Sequence, residues 1–395
     1  MDVTAASTTG SSPLRGRATQ VALLLVAMLL ASLALALRPA PASALQAGFL
    51  DPGFQVEQPD VFWGDMTALK GRVVRYDVYW RDIAPQRPAA PRDPASPAYS
   101  FALLDGLVSD AAAHHVDIIL TIWRTPNWAR ANRSAGGSSY AFAPNLRDFG
   151  DFVHAIATRY SGKFDPDGPA GPLGVLPKVK NWEMWNEPNY IGALRPQKSG
   201  NRAVSPAIYA GILNKGYGEI KKVDKTMKVL GGAMNRGFGG KGSVAALVFL
   251  RGMKMANAKF DIATVHPYPP TGVEGLDDGT TAPNITLINF KEYEKELDKL
   301  YKPKRYDIWL TEFGAKSEPD ANGASLPDQA LFVKQAFKRI KTKHPRVKRV
   351  VWFLVRDEPL ELPGQSDRWQ SGLRDENGAK KPAYNAWLSI KSLLS

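Results

Sequence analysis

The stretch "VKNWEMWNEPNY", residues 179–190, reads in two halves. Val179 to Trp185 has the short, tryptophan-rich run of a buried strand, whereas Pro188 cannot continue a ladder. Asn186 and Glu187 are therefore left at the C-terminal end of that strand. What a carboxylate does there depends on what the rest of the chain builds around it.

Working outward, seven further apolar runs stand at "AGFLD" (Ala47), "GRVVRYDVYW" (Gly71), "VDIILTIW" (Val116), "KVLGGAM" (Lys228), "FDIATVHPY" (Phe260), "YDIWLTEFG" (Tyr306) and "RVVWFLVRD" (Arg349). Longer amphipathic stretches lie between them, at Phe101, Leu146, Pro206 and Leu326. Buried strands alternating with helices predict a parallel sheet, and eight of them predict a (β/α)8 TIM barrel over residues 45–395. The chemistry of such a barrel lies at its strand C-termini. The seventh run ends in "WLTEFG", which places Glu312 at the same mouth as Glu187, with Gly314 freeing the backbone after it. Two glutamates so placed suit cleavage of a glycosidic bond: one donates a proton to the leaving oxygen and the other attacks the anomeric carbon.

Composition bounds these readings. A chain of 395 residues with 44% hydrophobic residues has ample core and is too apolar for disorder. It contains no cysteine, which excludes disulfides, thiolate catalysis and cysteine-held zinc. With five histidines, and His114–His115 lacking ligand spacing, neither a metal nor a cofactor is expected. The net charge of +13 suggests nucleic acid, but the lysines are scattered. The richest clusters, Lys291 to Arg305 and Lys338 to Arg349, interleave acids or apolar residues and read as solvated helix faces. No nucleic-acid partner is expected; attraction to anionic envelope polymer remains open.

Residues 1–44 form a separate segment. Arg15 and Arg17 precede the apolar run Val21 to Leu37, and Ala42-Ser43-Ala44 supplies small residues of the cleavage pattern. The run fits a signal peptide, yet it is also near the lower limit of about 17 residues for a membrane anchor. Either reading places residues after about Leu45 outside the cytoplasm.

"WNEPN" together with "TEFG" resembles the clan A retaining glycoside hydrolases, most closely their family 39-like and family 5-like members. The resemblance extends over "VVRYDVYWRDIAP" (Val73), "TPNWA" (Thr125), "VHPYP" (Val265) and "GLRDENGAKKPAYNAW" (Gly372). It implies a (β/α)8 barrel with Glu187 as acid/base and Glu312 as nucleophile. Arg75 and Tyr268 would hold the oxygens of Glu312, Asn186 would meet the sugar 2-hydroxyl, and His266 would face the substrate. Trp128 and Trp352 are expected as stacking platforms, with Trp80, Trp123 and Trp185 equally suited to platform or core. Trp123 stands where many clan members have a histidine, which puts one substrate contact in doubt. Glu183, four residues before Glu187 and so on the same strand face, reads as a buried structural carboxylate whose partner is unnamed. The implied activity is that of a retaining β-glycosidase acting on an extracellular or envelope glycan. The alternative is a barrel that binds carbohydrate without turnover.

Overall fold

Strands β1 Gln46–Phe49, β2 Gly71–Tyr79, β3 Asp117–Trp123, β4 Asn181–Met184, β5 Lys228–Asn235, β6 Ile262–His266, β7 Ile308–Phe313 and β8 Val347–Trp352 close into a parallel barrel. Each pairs with the next in sequence, and β8 returns to β1 with Gln46 opposite Arg349. This is the barrel expected from the alternation of runs. The computed structural model describes residues 1–2, 45–132, 140–168, 171, 174–237, 242–270, 279–320, 323–359 and 368–395. The chain divides into units Met1–Ser43 and Ala44–Ser395, and the leader expectation lies almost wholly outside the described residues. Among the described residues, no helix is long and apolar enough to cross a membrane.

The helices form where the sequence supplies both a cap and a stripe. Asn145 accepts from the backbone of Arg147 and Asp148 at the start of helix Leu146–Arg159, whose Phe149, Phe152, Val153 and Ile156 are buried. Ser325 caps helix Leu326–Lys343 in the same way, with basic Lys341 and Lys343 in the last turn, where the dipole favours them. In the lysine-rich helix Phe290–Tyr301, Phe290, Tyr293 and Leu297 face inward, while Lys291 and Lys295 are exposed and paired with Glu294 and Glu292. That cluster is a solvated face, as its pattern indicated.

Inside the barrel the side chains change character with height. Val73, Ile119, Leu230, Ile262 and Trp309 form an apolar layer nearer the strand N-termini, joined by Val351 from β8. Two residues further along three of these strands stand Arg75, Thr121 and Thr311, all fully buried and on the same face by strand alternation. The polar layer is thus the floor of the site, and the apolar one seals it from below.

Two of the departures from regular strand geometry lie beside Glu187. β4 ends at Met184 because Trp185 (φ 73°) turns into the left-handed region, and Glu187 (φ 42°) does so again. The strand therefore stops one residue short of the Trp185 expected from the sequence, and Glu187 stands in the turn that follows it, not on the strand face shared with Glu183. β5 shifts register against β6 between Gly231 and Met234, where Gly232 (φ 126°) and Ala233 (φ 43°) form a bulge. The freed N–H groups are not orphaned: Gly232 N donates to Tyr209 Oη and Ala233 N to Thr264 Oγ1, each at 2.8 Å.

Candidate active site

Arg75 on β2 organises the floor. Its Nε donates to Thr121 Oγ1 (2.9 Å) and Glu183 Oε2 (3.0 Å), Nη1 to Glu312 Oε2 (2.9 Å) and Nη2 to Asn186 Oδ1 (2.7 Å). Burial alone would discharge the guanidinium, but Asp77, Glu183 and Glu312 around it hold it charged, above its ordinary value. Glu183, fully buried, also accepts from Thr121 (2.9 Å) and Thr311 (2.7 Å). The partner that sequence could not name for Glu183 is therefore Arg75, supported by two threonines.

Glu312 projects from β7, its Oε1 accepting from Tyr268 Oη at 3.2 Å and its Oε2 from Arg75. Burial raises the Glu312 carboxyl from its usual value; His266 and Arg75 pull it back, and the like charge of Glu187 pushes it up again. The Tyr268 hydroxyl is driven well above its usual value by burial and by both glutamates, so it is a donor here.

Glu187 is placed by the two irregular elements. Its N–H donates to Ala233 O on the β5 bulge (2.9 Å), and its Oε2 accepts from Asn235 Nδ2 (3.2 Å) at the end of the same strand. Its Oε1 lies 3.3 Å from His266 Nδ1. On the other edge, His266 Nε2 is 3.1 Å from Thr311 Oγ1. Thr311 has one hydroxyl proton and donates it to Glu183, so its oxygen is the acceptor and Nε2 carries the hydrogen. With the Nε2 hydrogen so assigned from the network, Nδ1 is the ring atom that faces Glu187.

A cavity of about 290 Å³ opens over these groups, lined by Asn186, Glu187, Asn235, His266, Tyr268 and Glu312, with Arg236, Lys316 and Trp369 at its walls. The Tyr268 and Trp369 rings, with centroids 5.3 Å apart, supply aromatic surface beside Glu312. One potential ligand atom each from Glu187, His266 and Glu312 lies within 4.8 Å of the others, a set that could hold a cation. The Arg75 guanidinium already serves as cation to this cluster through Glu312.

Arg75, Asn186, Glu187, His266, Tyr268 and Glu312 thus come together as one constellation. Two tryptophans do not. Trp352 is fully buried, its Nε1 donating to Ser371 O (2.8 Å) and its ring packed against Phe313 and Trp387, so it presents no face to a sugar. Trp352 follows the inward Val351 and so faces outward, into the interface between barrel and helices. Trp128 is half-buried against Trp80, donates to Ala84 O (2.8 Å) and does not line the cavity. Trp80 and Trp185 are core, and Trp123 is nearly so. Sequence reading missed Asn235, Thr121, Thr311 and Trp369. The threonines were findable, since each stands two residues past an inward apolar residue of its strand; Asn235 depends on the bulge and Trp369 on a long connection.

The sequence profile of the family described as "Glycosyl hydrolase catalytic core" matches residues 176–379, just over half of the chain. No curated protein sequence matches. Among solved structures, the family 39 glycoside hydrolase of Bacteroides cellulosilyticus WH2 aligns with a TM-score of 0.61 at 17% identity, over 89% of this chain and 64% of its own. This chain thus spans less than two thirds of that enzyme's length. A monomeric beta-xylosidase from Caulobacter crescentus CB15 aligns with a TM-score of 0.60 at 16% identity, over 90% of this chain and 69% of that one. Xylanase 10B from Thermotoga maritima aligns with a TM-score of 0.58 at 16% identity, over 89% and 97%. At these identities the structural matches speak to the barrel. The profile match, which covers both β4 and β7 with their glutamates, makes the chain a member of the glycosyl hydrolase catalytic core family and a glycoside hydrolase.

Proposed function

We propose that this enzyme is a retaining β-glycosidase working by double displacement, with Glu312 as nucleophile and Glu187 as acid/base. The observation that carries the reading is the closeness of the two carboxyls, which have oxygens within 4.8 Å of each other. Retaining pairs stand about 5 to 5.5 Å apart, whereas inverting pairs leave about 6.5 to 9.5 Å for a water. The roles follow from the partners. The charge-assisted bond from Arg75 favours the anion on Glu312, the attacking group, and Glu187, which Arg75 does not reach, is left as the acid/base. His266 Nδ1, 3.3 Å from Glu187 Oε1, is placed to hold the acid's orientation.

In the first step a Glu312 oxygen forms a bond to the anomeric carbon while the bond to the leaving oxygen breaks and Glu187 gives that oxygen its proton. In the second, water loses a proton to Glu187 and displaces Glu312, restoring both carboxyls. Asn186 spends its carbonyl on Arg75, so its amide N–H groups face the cavity as donors for a sugar hydroxyl. Trp369 and Tyr268 offer faces to the apolar side of a pyranose. The substrate is an oligo- or polysaccharide met outside the cytoplasm; that placement rests on the leader alone, and N-terminal sequencing of the exported protein tests it.

The experiment is a paired-variant assay on activated aryl β-glycosides. Glu312→Ala is expected to lose activity by about 10⁴-fold or more, since no other group can attack. Glu187→Ala is expected to retain turnover of substrates with good leaving groups and to form a β-glycosyl azide when azide is added. Equal loss in both variants with no azide product would refute the assignment.

A further inference from the structure

Among the described residues, one guanidinium at the barrel mouth has no acceptor. Arg124 follows β3 directly, with its backbone in the left-handed region (φ 65°), where a long side chain stays only if its surroundings hold it. The rings of Tyr79, Trp123 and Tyr140 do so, with centroids 3.6, 4.6 and 4.6 Å from the guanidinium carbon. They fix its plane but take none of its in-plane N–H bonds. Among the described residues, the side chain has no hydrogen bond or ion pair, and its Nε is buried without a partner. The acid on the adjoining strand, Asp77, lies 3.4 Å from Arg75 Nη2 and is stabilised by the charges of both arginines, but it makes no hydrogen bond or ion pair with Arg124.

A buried donor without an acceptor is rare enough in a folded protein to need a reason, and a strained backbone holding it needs one too. Its position suggests what that reason is. Tyr79 and Trp123 are register partners at the C-terminal ends of β2 and β3, on the same strand face as Asp77 and Arg75. The four residues from Arg75 to Tyr79 rise about 13 Å along the strand, so Arg124 stands at the rim above the residue that holds Glu312. A guanidinium only donates, and its planar fork matches the paired oxygens of a carboxylate better than a neutral hydroxyl. The surroundings agree in sign: Arg81 lies over the same Tyr140 ring at 4.8 Å, Arg236 and Lys316 line the cavity, and the chain carries a net charge of +13.

We propose that Arg124 is the carboxylate-recognition residue of the active site and that the substrate is a glycan containing hexuronic acid units. The proposal rests on the glycosidase reading for its chemistry, and its test is arranged to fail separately. The full-length protein is assayed on aryl glycosides and oligosaccharides in matched pairs that differ only in carboxylate against hydroxymethyl at C6. The uronide is expected to be cleaved with kcat/KM at least about 100-fold above its neutral partner. Arg124→Gln should remove that preference by lowering uronide kcat/KM about 100-fold while changing the neutral partner less than about threefold, and Arg124→Lys should restore part of it. Equal rates on the two members of each pair, or equal losses on both in Arg124→Gln, would overturn the proposal. If no glycoside is cleaved at all, the glycosidase reading fails, and calorimetric binding decides the rest. Oligouronide binding that Arg124→Gln abolishes supports the carboxylate site, whereas indifference between oligouronide and neutral oligosaccharide overturns it.

Discussion

Arg75 can be both fully enclosed and charged because its donors go to four side chains, Thr121, Glu183, Asn186 and Glu312. At this scale sequence was informative about identity and poor about surroundings. Glu187 and Glu312 stood out because each ends a strand, beside Pro188 and near Gly314, so alternation and turn chemistry sufficed to find them. Trp352 misled because it ends a strand on the outward face, where it packs against Trp387 and not over the mouth. The residue-scale prediction concerns Tyr268, whose hydroxyl is a donor to Glu312. Burial raises Glu312 above 4.5, so the acid limb of kcat/KM lies above that ordinary carboxylate value and activity falls as pH drops through it. Tyr268→Phe removes a hydrogen bond that favours the charged carboxylate. The limb should therefore move to higher pH, by about half a unit to one unit. A limb that stays in place or moves down would show that Tyr268 does not stabilise the Glu312 anion.

Elements place the site as much as residues do, chiefly through the β5 bulge. Regular pairing would carry β5 straight past Glu187. With Gly232 and Ala233 bulged, Ala233 O meets the Glu187 N–H and Asn235 reaches its carboxylate. The run "KVLGGAM" showed that a strand was present, but its double glycine did not reveal which residue would turn. A Cβ at Gly232 would lie 2.2 Å from Thr264 O at a φ of 126°, and neither can be relieved without moving the β5–β6 ladder. Gly232→Ala should therefore cost roughly 2–4 kcal/mol in urea unfolding and lower kcat more than it raises KM. Full stability with unchanged kcat would mean that the bulge does not position the acid.

Across the whole molecule, the eight-strand rhythm was legible because buried parallel strands read as apolar runs, so the barrel followed from counting them. What closes it was not legible. Asp51, just after β1, accepts from Phe54 N at the start of the next helix and from Val355 N and Arg356 N beyond β8. Burial raises its carboxyl to about 6, and burial raises Asp357 to about 6 as well, against pairing with Lys381. Both folded values exceed the ordinary 3.8, so the folded chain keeps protons that the unfolded chain releases between about pH 4 and about pH 6. Stability is therefore expected to fall as pH rises through that window and to level above it. Denaturant midpoints from pH 4.5 to 7.5 test this, with a shallower fall in Asp51→Asn; a wild-type midpoint that rises across the window would contradict it.

At this same scale, a covalent glycosyl-enzyme is what double displacement requires. A cleaved glycoside can be remade with fluorine at C2 and an activated leaving group, so that the glycosyl-enzyme accumulates. Mass spectrometry of the digested protein then locates the sugar. One glycosyl unit per chain is expected, attached to the peptide carrying Glu312 through its carboxylate; a sugar on Glu187, or turnover of the parent substrate to the inverted anomer with no trapped enzyme, would contradict double displacement at Glu312.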